Sequence, residues 1–290
     1  MITAAMLIKN ESWCLRATIP AALDWCDSLV VLDDGSTDGT LDIVQDYVSQ
    51  YPQRVKLHRR EKRGEFWDEM EARQELANCV FLEYPLTTVF GLVDADEMLP
   101  EPFRRTVAGY LSAMEKDQVL APPALNPWNC LFKLRVDKCQ WTMNYWTMAI
   151  KVGRVPVSWH VAADGYTHHR RVPENIGTTR VSGVDVGVIH LQFANYNRRL
   201  WKHAWYKMTE LLRWGGKRNE SCATNLNRKY GAAFDETGLR LVDTPASWFK
   251  EDELKNIDVD SPGWYKEECE TLMGFYGRDR FTGLKLPEGL

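Results

Sequence analysis

The chain has no C-x-x-C pair. Its seven cysteines, at positions 14, 26, 79, 130, 139, 222 and 269, are scattered and odd in number. That argues against a disulfide framework and a structural zinc site, and it suits a reducing, cytoplasmic setting. No apolar run approaches the roughly 18–20 residues of a membrane span. The opening MITAAMLIKNE has no basic stretch ahead of its apolar run and reaches acids early, so it does not read as a signal peptide. Positive charge is not in excess. The 36 Lys and Arg against 40 Asp and Glu leave a net charge of −4, where a dedicated duplex-binding protein would be basic. Neither G-x-x-x-x-G-K-[ST] nor G-x-G-x-x-G occurs, which removes the Walker P-loop and the dinucleotide fingerprint. There is no internal repeat and no low-complexity segment.

What is present is an ordinary globular composition, 44% hydrophobic and 26% charged over 290 residues, enough for one large domain. Tryptophan is abundant, with 12 residues. Most should pack in the core, and some should line a cleft, since flat aromatic faces suit the C–H faces of sugar rings. Apolar runs at 2–8, 28–32, 54–58 and 88–93 read as buried strands. Helical spacing over 10–26, 39–51, 65–83 and 100–115 alternates with them. Thr37 and Asp38 are suited to cap the second helix. Continuous apolar strands between helices predict a mostly parallel sheet covered on both faces, an α/β nucleotide-binding half over residues 1–115. From 116 to 290 the rhythm breaks into Pro-rich loops and short β-like runs, then a long helix over 197–214. That half should complete the cleft as the acceptor-binding part of the same continuous domain.

Two apolar strands end in paired acids, VLDDGSTDGT at 31–40 and FGLVDADEML at 90–99, and the first strand ends in Asn10 and Glu11. In open parallel sheets, ligands bind beyond the carboxyl ends of the strands. Each cluster alone could be turn chemistry, but three at one sheet edge converge on one crevice. Alternate residues of extended chain point the same way, so Asp94 and Asp96 would repel each other unless a cation lies between them. Hard oxygen ligands of this kind suit Mg²⁺ or Mn²⁺ together with phosphate oxygens.

LIKNES, LVVLDDGSTDGT, EARQELA and LVDADEML, in that order, make residues 2–115 resemble family 2 glycosyltransferases of the GT-A fold, with its Rossmann-like sheet. The resemblance implies a metal-dependent, inverting transfer from a nucleoside-diphosphate sugar, most often UDP-linked. Asn10 and Glu11 would line the nucleotide. Asp33 or Asp34 would accept a hydrogen bond from the base or ribose, and Arg73 would lie near base and diphosphate. Asp94 would meet the ribose or reach the metal through water, while Asp96 would bind Mn²⁺ or Mg²⁺ directly, with His190 as the third protein ligand. Group members often carry a His-Glu pair that is missing from VSWHVAADGYTHHRR. The catalytic base is therefore assigned to Asp164, with Asp185 and Glu174 in reserve, and His160, His168 and His169 as acceptor or phosphate contacts.

For Arg198, Arg199, Lys202 and Lys207 the expectation is mostly a solvated helix face, and for HRREKRGE (58–65) a solvated loop that could still attract an anionic donor. The acceptor stays open among saccharide, lipid-linked glycan, protein side chain, small metabolite and modified nucleobase, and the oligomeric state is unread. Three other functions compete. A nucleotidyltransferase would carry a Gly-rich basic loop after the first strand, and a non-catalytic carbohydrate-binding protein would leave the paired acids without a purpose. A dehalogenase-like phosphatase would need its nucleophilic Asp after the first strand, which ends in KNE.

Overall fold

The computed structural model describes residues 1–61, 68–155, 157–159, 171–173, 176–214 (for Trp214 the backbone only) and 222–290. The first half alternates as expected. Strands β1 (Ile2–Ile8), β2 (Ser28–Asp33), β3 (Val55–Arg59) and β4 (Val89–Asp94) are separated by helices α1 (Leu15–Leu23), α2 (Thr40–Gln50) and α3 (Glu69–Glu83). Then follow β5 (Glu97–Met98), α4 (Glu101–Ala113), β6 (Gln118–Ala121), β7 (Ala124–Leu125), β8 (Lys133–Arg135), β9 (Ala149–Lys151), β10 (Gly177–Arg180) and β11 (Val188–His190). The chain ends with α5 (Tyr196–Trp214), α6 (Cys222–Gly231), β12 (Leu241–Asp243), α7 (Glu251–Lys255) and α8 (Tyr265–Tyr276).

The main sheet has the order β10-β6-β9-β4-β1-β2-β3. It is parallel except for β9, which runs antiparallel between β4 and β6. The sheet therefore does not stop at residue 115, because the second half adds three strands to it. Its apolar strands are continuous because both faces are covered. Ala4, Met6, Leu29, Val31 and Val93 face one core with Leu15, Ile19 and Phe103. Ala5, Val30, Leu32, Phe90 and Leu92 face the other with Met70, Leu76 and Val80 of α3. Each fully buried Val, Leu, Ile, Phe or Met side chain among these contributes about 1.5–3 kcal/mol. Gly91 is required where it stands: a Cβ there would lie 2.8 Å from the Trp25 ring and 3.1 Å from Ala4 Cα.

From β1 the chain moves through β2 and β3 on one side and returns to β4 on the other. Beyond the carboxyl ends of β1 and β4 this reversal opens a crevice. A small second sheet, β5-β11-β7, closes over it. In it His190 pairs with Glu97, and Leu191 N–H donates to the Asp96 carbonyl at 2.8 Å. Two residues 94 positions apart in sequence, Asp96 and His190, become neighbours through these backbone bonds.

The long helix α5 does not present a solvated basic face. Arg198, Arg199, Lys202 and Lys207 are all buried, which corrects the sequence expectation. Aromatic rings and carbonyls take the place of water around them. Arg198 lies 3.5 Å over the Trp13 ring and donates to the Asp258 carbonyl at 3.2 Å. Arg199 lies 4.0 Å over Trp128 and donates to Asn129 Oδ1 at 3.0 Å. Lys207 donates to the Lys285 carbonyl. Burial lowers the Arg199 guanidinium to about 10 and the Lys207 ammonium to about 8.

The expected solvated loop from residue 58 also differs at Arg60. Its buried guanidinium bridges Asp34 at 3.1 Å, Glu71 at 2.6 Å and Glu75 at 3.2 Å; residues 62–67 lie outside those described. Among the described residues, no helix is long and apolar enough to cross a membrane.

Candidate functional site

The loop after β1 and the loop after β2 are clipped together. Asn10, at φ 53°, accepts the Thr37 N–H at 2.7 Å and the Asp38 N–H at 3.3 Å on Oδ1. Asp33 is fully buried, and its carboxylate accepts the N–H groups of Gly35 and Ser36 at 3.1–3.2 Å. Gly35 has φ 84°, a conformation that favours glycine. Asp38 accepts from Thr40 N–H and from Ser12, so it serves the start of α2, whereas Thr37 is spent on Asn10. The side chains of Asn10 and Asp33 thus build the loop.

Asp34 lines a cavity of about 120 Å³, with Lys9, Glu11, Arg73, Asp94 and Asp96 among its other walls. Burial raises the Asp34 carboxyl despite the opposing Arg60. Glu11 accepts the Trp13 indole N–H at 2.6 Å. Burial, and then the charge of Asp96, push its carboxyl up to about 8.

The acids after β4 sit in an ion-pair network. Asp94 accepts from Arg73 at 3.2 Å on one oxygen and from Arg171 at 2.7 Å on the other. Arg73 also holds Glu69 at 2.7 Å, and Arg171 also holds Glu97 at 2.7 Å. Burial resists charging Asp94, but Arg171 and Arg73 outweigh it and keep the carboxyl below its usual range. Asp96 has different partners. Its Oδ2 lies 3.2 Å from Lys202 Nζ and 3.5 Å from His190 Nε2. Burial again opposes the charge, and Lys202 and His190 overcome it, leaving Asp96 firmly ionised.

A second cavity, of about 420 Å³, shares Glu69, Arg73, Asp94, Lys202 and Tyr206 with the first. Its remaining walls include Trp141, Tyr145, Trp146, His190 and Tyr230. Trp146 crosses His190 with ring centroids 5.1 Å apart and donates its indole N–H to Glu97. The tryptophans divide as anticipated: Trp25, Trp128 and Trp248 are core, while Trp141 and Trp146 face this cavity.

Among the described residues, no cluster of three His, Cys, Asp or Glu side chains is arranged to hold a metal. Asp96 and His190 fit two ligands of a divalent cation: an ionised oxygen and an imidazole nitrogen 3.5 Å apart, both buried. Gln192 Nε2 lies 3.2 Å from His190 Nδ1; with the amide flipped so that its oxygen accepts the His190 Nδ1–H, the lone pair on the His190 Nε2 is free to ligate a cation. Asp94 is held by its two arginines instead.

Asp164, Glu174, His160, His168 and His169 lie outside the described residues. Asp185 lines neither cavity; it accepts the Trp248 indole N–H at 2.8 Å. Sequence reasoning missed Glu69, Glu97 and Arg171 and undervalued Lys202. Glu97 carried a signal, the acid following D-A-D. Arg171 carried none, as the last residue of THHRR.

The family model described as Glycosyl transferase family 2 matches residues 3–154. Among curated proteins nothing matches the chain. Solved structures similar to it include S. aureus TarS 1–349 in complex with UDP, with 13% identity over 81% of this chain and 73% of that one and a TM-score of 0.42. Another is the mannosyltransferase PcManGT from Pyrobaculum calidifontis in complex with GDP-Man and Mn²⁺, with 12% identity over 93% and 83% and a TM-score of 0.42.

Proposed function

The chain belongs to glycosyl transferase family 2, whose model covers just over half of it, and it is a glycosyltransferase. From that premise we propose that it takes a sugar from a nucleoside-diphosphate donor, UDP-linked as is most frequent in the family, and transfers it to an acceptor hydroxyl with inversion. The observation that supports this most is the smaller cavity, which lies at the strand ends and is lined by Lys9, Glu11, Asp34, Arg73, Asp94 and Asp96. Both cations and acids line it, the cations suited to a phosphate ester and the acids to the hydroxyls of a ribose.

Asp34 and Glu11 bind the nucleoside, and Asp94, fixed by two arginines, meets the ribose. Asp96 and His190 would hold Mn²⁺ or Mg²⁺, which when bound supplies positive charge to the leaving diphosphate. The chain's own cations, Arg73 and Lys202 at the shared wall and Arg171 in the larger cavity, favour the same anion. The acceptor enters the larger cavity. Its walls of Trp141, Tyr145, Trp146, Tyr206 and Tyr230 support a saccharide, whose ring faces stack on aromatic planes. A carboxylate opposite the leaving group must take the acceptor proton. Asp164 is proposed for this role, as the acid of a polar loop between β-like runs of the sequence. The scattered cysteines favour a cytoplasmic setting.

The test is a screen of UDP-, GDP- and dTDP-sugars with Mn²⁺, reading released nucleoside diphosphate. Turnover of one donor class supports the reading, and release from none of them removes it. Asp164→Asn should then lower turnover far more than donor affinity; equal turnover would move the base elsewhere.

A further inference from the structure

Lys202 is a cation of the shared cavity wall whose contact with Asp96 the expected roles leave unexplained. It stands on α5, is buried, and lines both cavities. Its hydrogen bond is to Asp96 Oδ2 at 3.2 Å, the same oxygen that faces His190 Nε2. An ammonium has three donors, and Asp96 uses one. Arg73 and Arg171 are each divided between two carboxylates, Glu69 and Asp94 for the first, Asp94 and Glu97 for the second. Among the described residues Lys202 is paired with a single carboxylate, and its side chain lines both cavities. The Tyr265 ring lies 5.8 Å from its charge, adding to the desolvated setting in which a fixed charge acts most strongly.

The position has two consequences. A divalent cation gripped by Asp96 and His190 would meet the ammonium on the same oxygen, so metal and lysine compete for Asp96. An anion entering between the cavities would meet Lys202 as a donor with capacity to spare. We propose that Lys202 is a resident cation of the donor site: it holds Asp96 while the site is empty and binds the donor's diphosphate, so that a divalent metal must displace it from Asp96. This rests on the nucleotide-sugar reading for the identity of the anion, but not for the competition with metal.

The experiment uses the full chain, wild type beside Lys202→Met and Lys202→Arg. Mn²⁺ alone is titrated by electron paramagnetic resonance without nucleotide. UDP and GDP are titrated by calorimetry in EDTA and again with Mn²⁺. The expected result is Mn²⁺ binding about tenfold tighter in Lys202→Met and metal-free diphosphate binding about tenfold weaker, with Lys202→Arg within about threefold of wild type in both. A merely structural lysine would give no gain in metal affinity. Mn²⁺ affinity that is unchanged or weaker in Lys202→Met overturns the competition. Metal-free diphosphate affinity that is unchanged in that variant overturns the binding role. If Lys202→Met does not fold, the wild type decides: diphosphate binding in EDTA supports the proposal, and binding that appears only with Mn²⁺ overturns it. Failure of the wild type to bind either diphosphate under any condition removes the nucleotide-sugar reading, and the Mn²⁺ titration still decides whether Lys202 competes for Asp96.

Discussion

Arg171 donates to Asp94 at 2.7 Å across 77 positions of sequence. The same guanidinium also pairs with Glu97, so one planar cation holds a half-buried and a buried acid of the D-A-D-E stretch. A lysine would keep the charge but lose the fork that spans both carboxylates. Arg171→Lys should lower donor turnover about tenfold and thermal stability by about 1–3 kcal/mol. Wild-type values in both a turnover assay and a thermal melt would take Arg171 out of the site.

Asp96 carries the strongest expectation at the site. It is the acid that both His190 and Lys202 face. Asp96→Asn removes the charge and keeps the shape, and should cut turnover at least about 100-fold with little change in the far-ultraviolet circular dichroism spectrum. His190→Ala should weaken the Mn²⁺ dependence about tenfold or more. A Mn²⁺ titration identical to wild type would return His190 to a structural role.

His203 predicts a pH effect on stability. Burial, and then the charges of Lys202 and Arg199, depress its imidazole from 6.5 to about 3. The unfolded chain therefore binds a proton between those values that the folded chain refuses. His203 contributes stability above pH 6.5, and that contribution is lost as pH falls toward 3. Up to roughly 3–5 kcal/mol is at stake. In His203→Gln, denaturant unfolding should show a shallower fall between pH 6.5 and 4 than in wild type; parallel curves would contradict the assignment.

Tyr145 is 41% exposed and lines the larger cavity, so it can change without disturbing the ion-pair network. If the acceptor is a saccharide stacked there, Tyr145→Ala should raise the acceptor KM about 2–10-fold and leave the donor KM unchanged. A shift in the donor KM instead would place the donor, not the acceptor, in that cavity.

The sequence by itself determined the architecture of the first half and the sheet edge at which the site lies. The strands β1, β2 and β4 are legible because a sheet covered on both faces demands continuous apolar runs, and their ends are legible because acids and turn residues interrupt those runs. Family membership was also legible, since its four motifs are contiguous stretches in fixed order. Only the tertiary structure decided which side chains within those stretches face the crevice. Asn10 and Asp33 spend their polar atoms on the loop's own N–H groups, while Glu11 and Asp34 line the cavity, a division that follows from the loop's backbone path and leaves no periodic trace. The basic residues of α5 read as a solvated face because pattern assigns charge to water. Their burial depends on partners far away in sequence: Trp13 and Trp128 under Arg198 and Arg199, and Asp96 opposite Lys202. Arg171 had no sequence signal at all, because an ion pair that closes across 77 positions is fixed by how the chain returns to the sheet, which local residue chemistry does not encode.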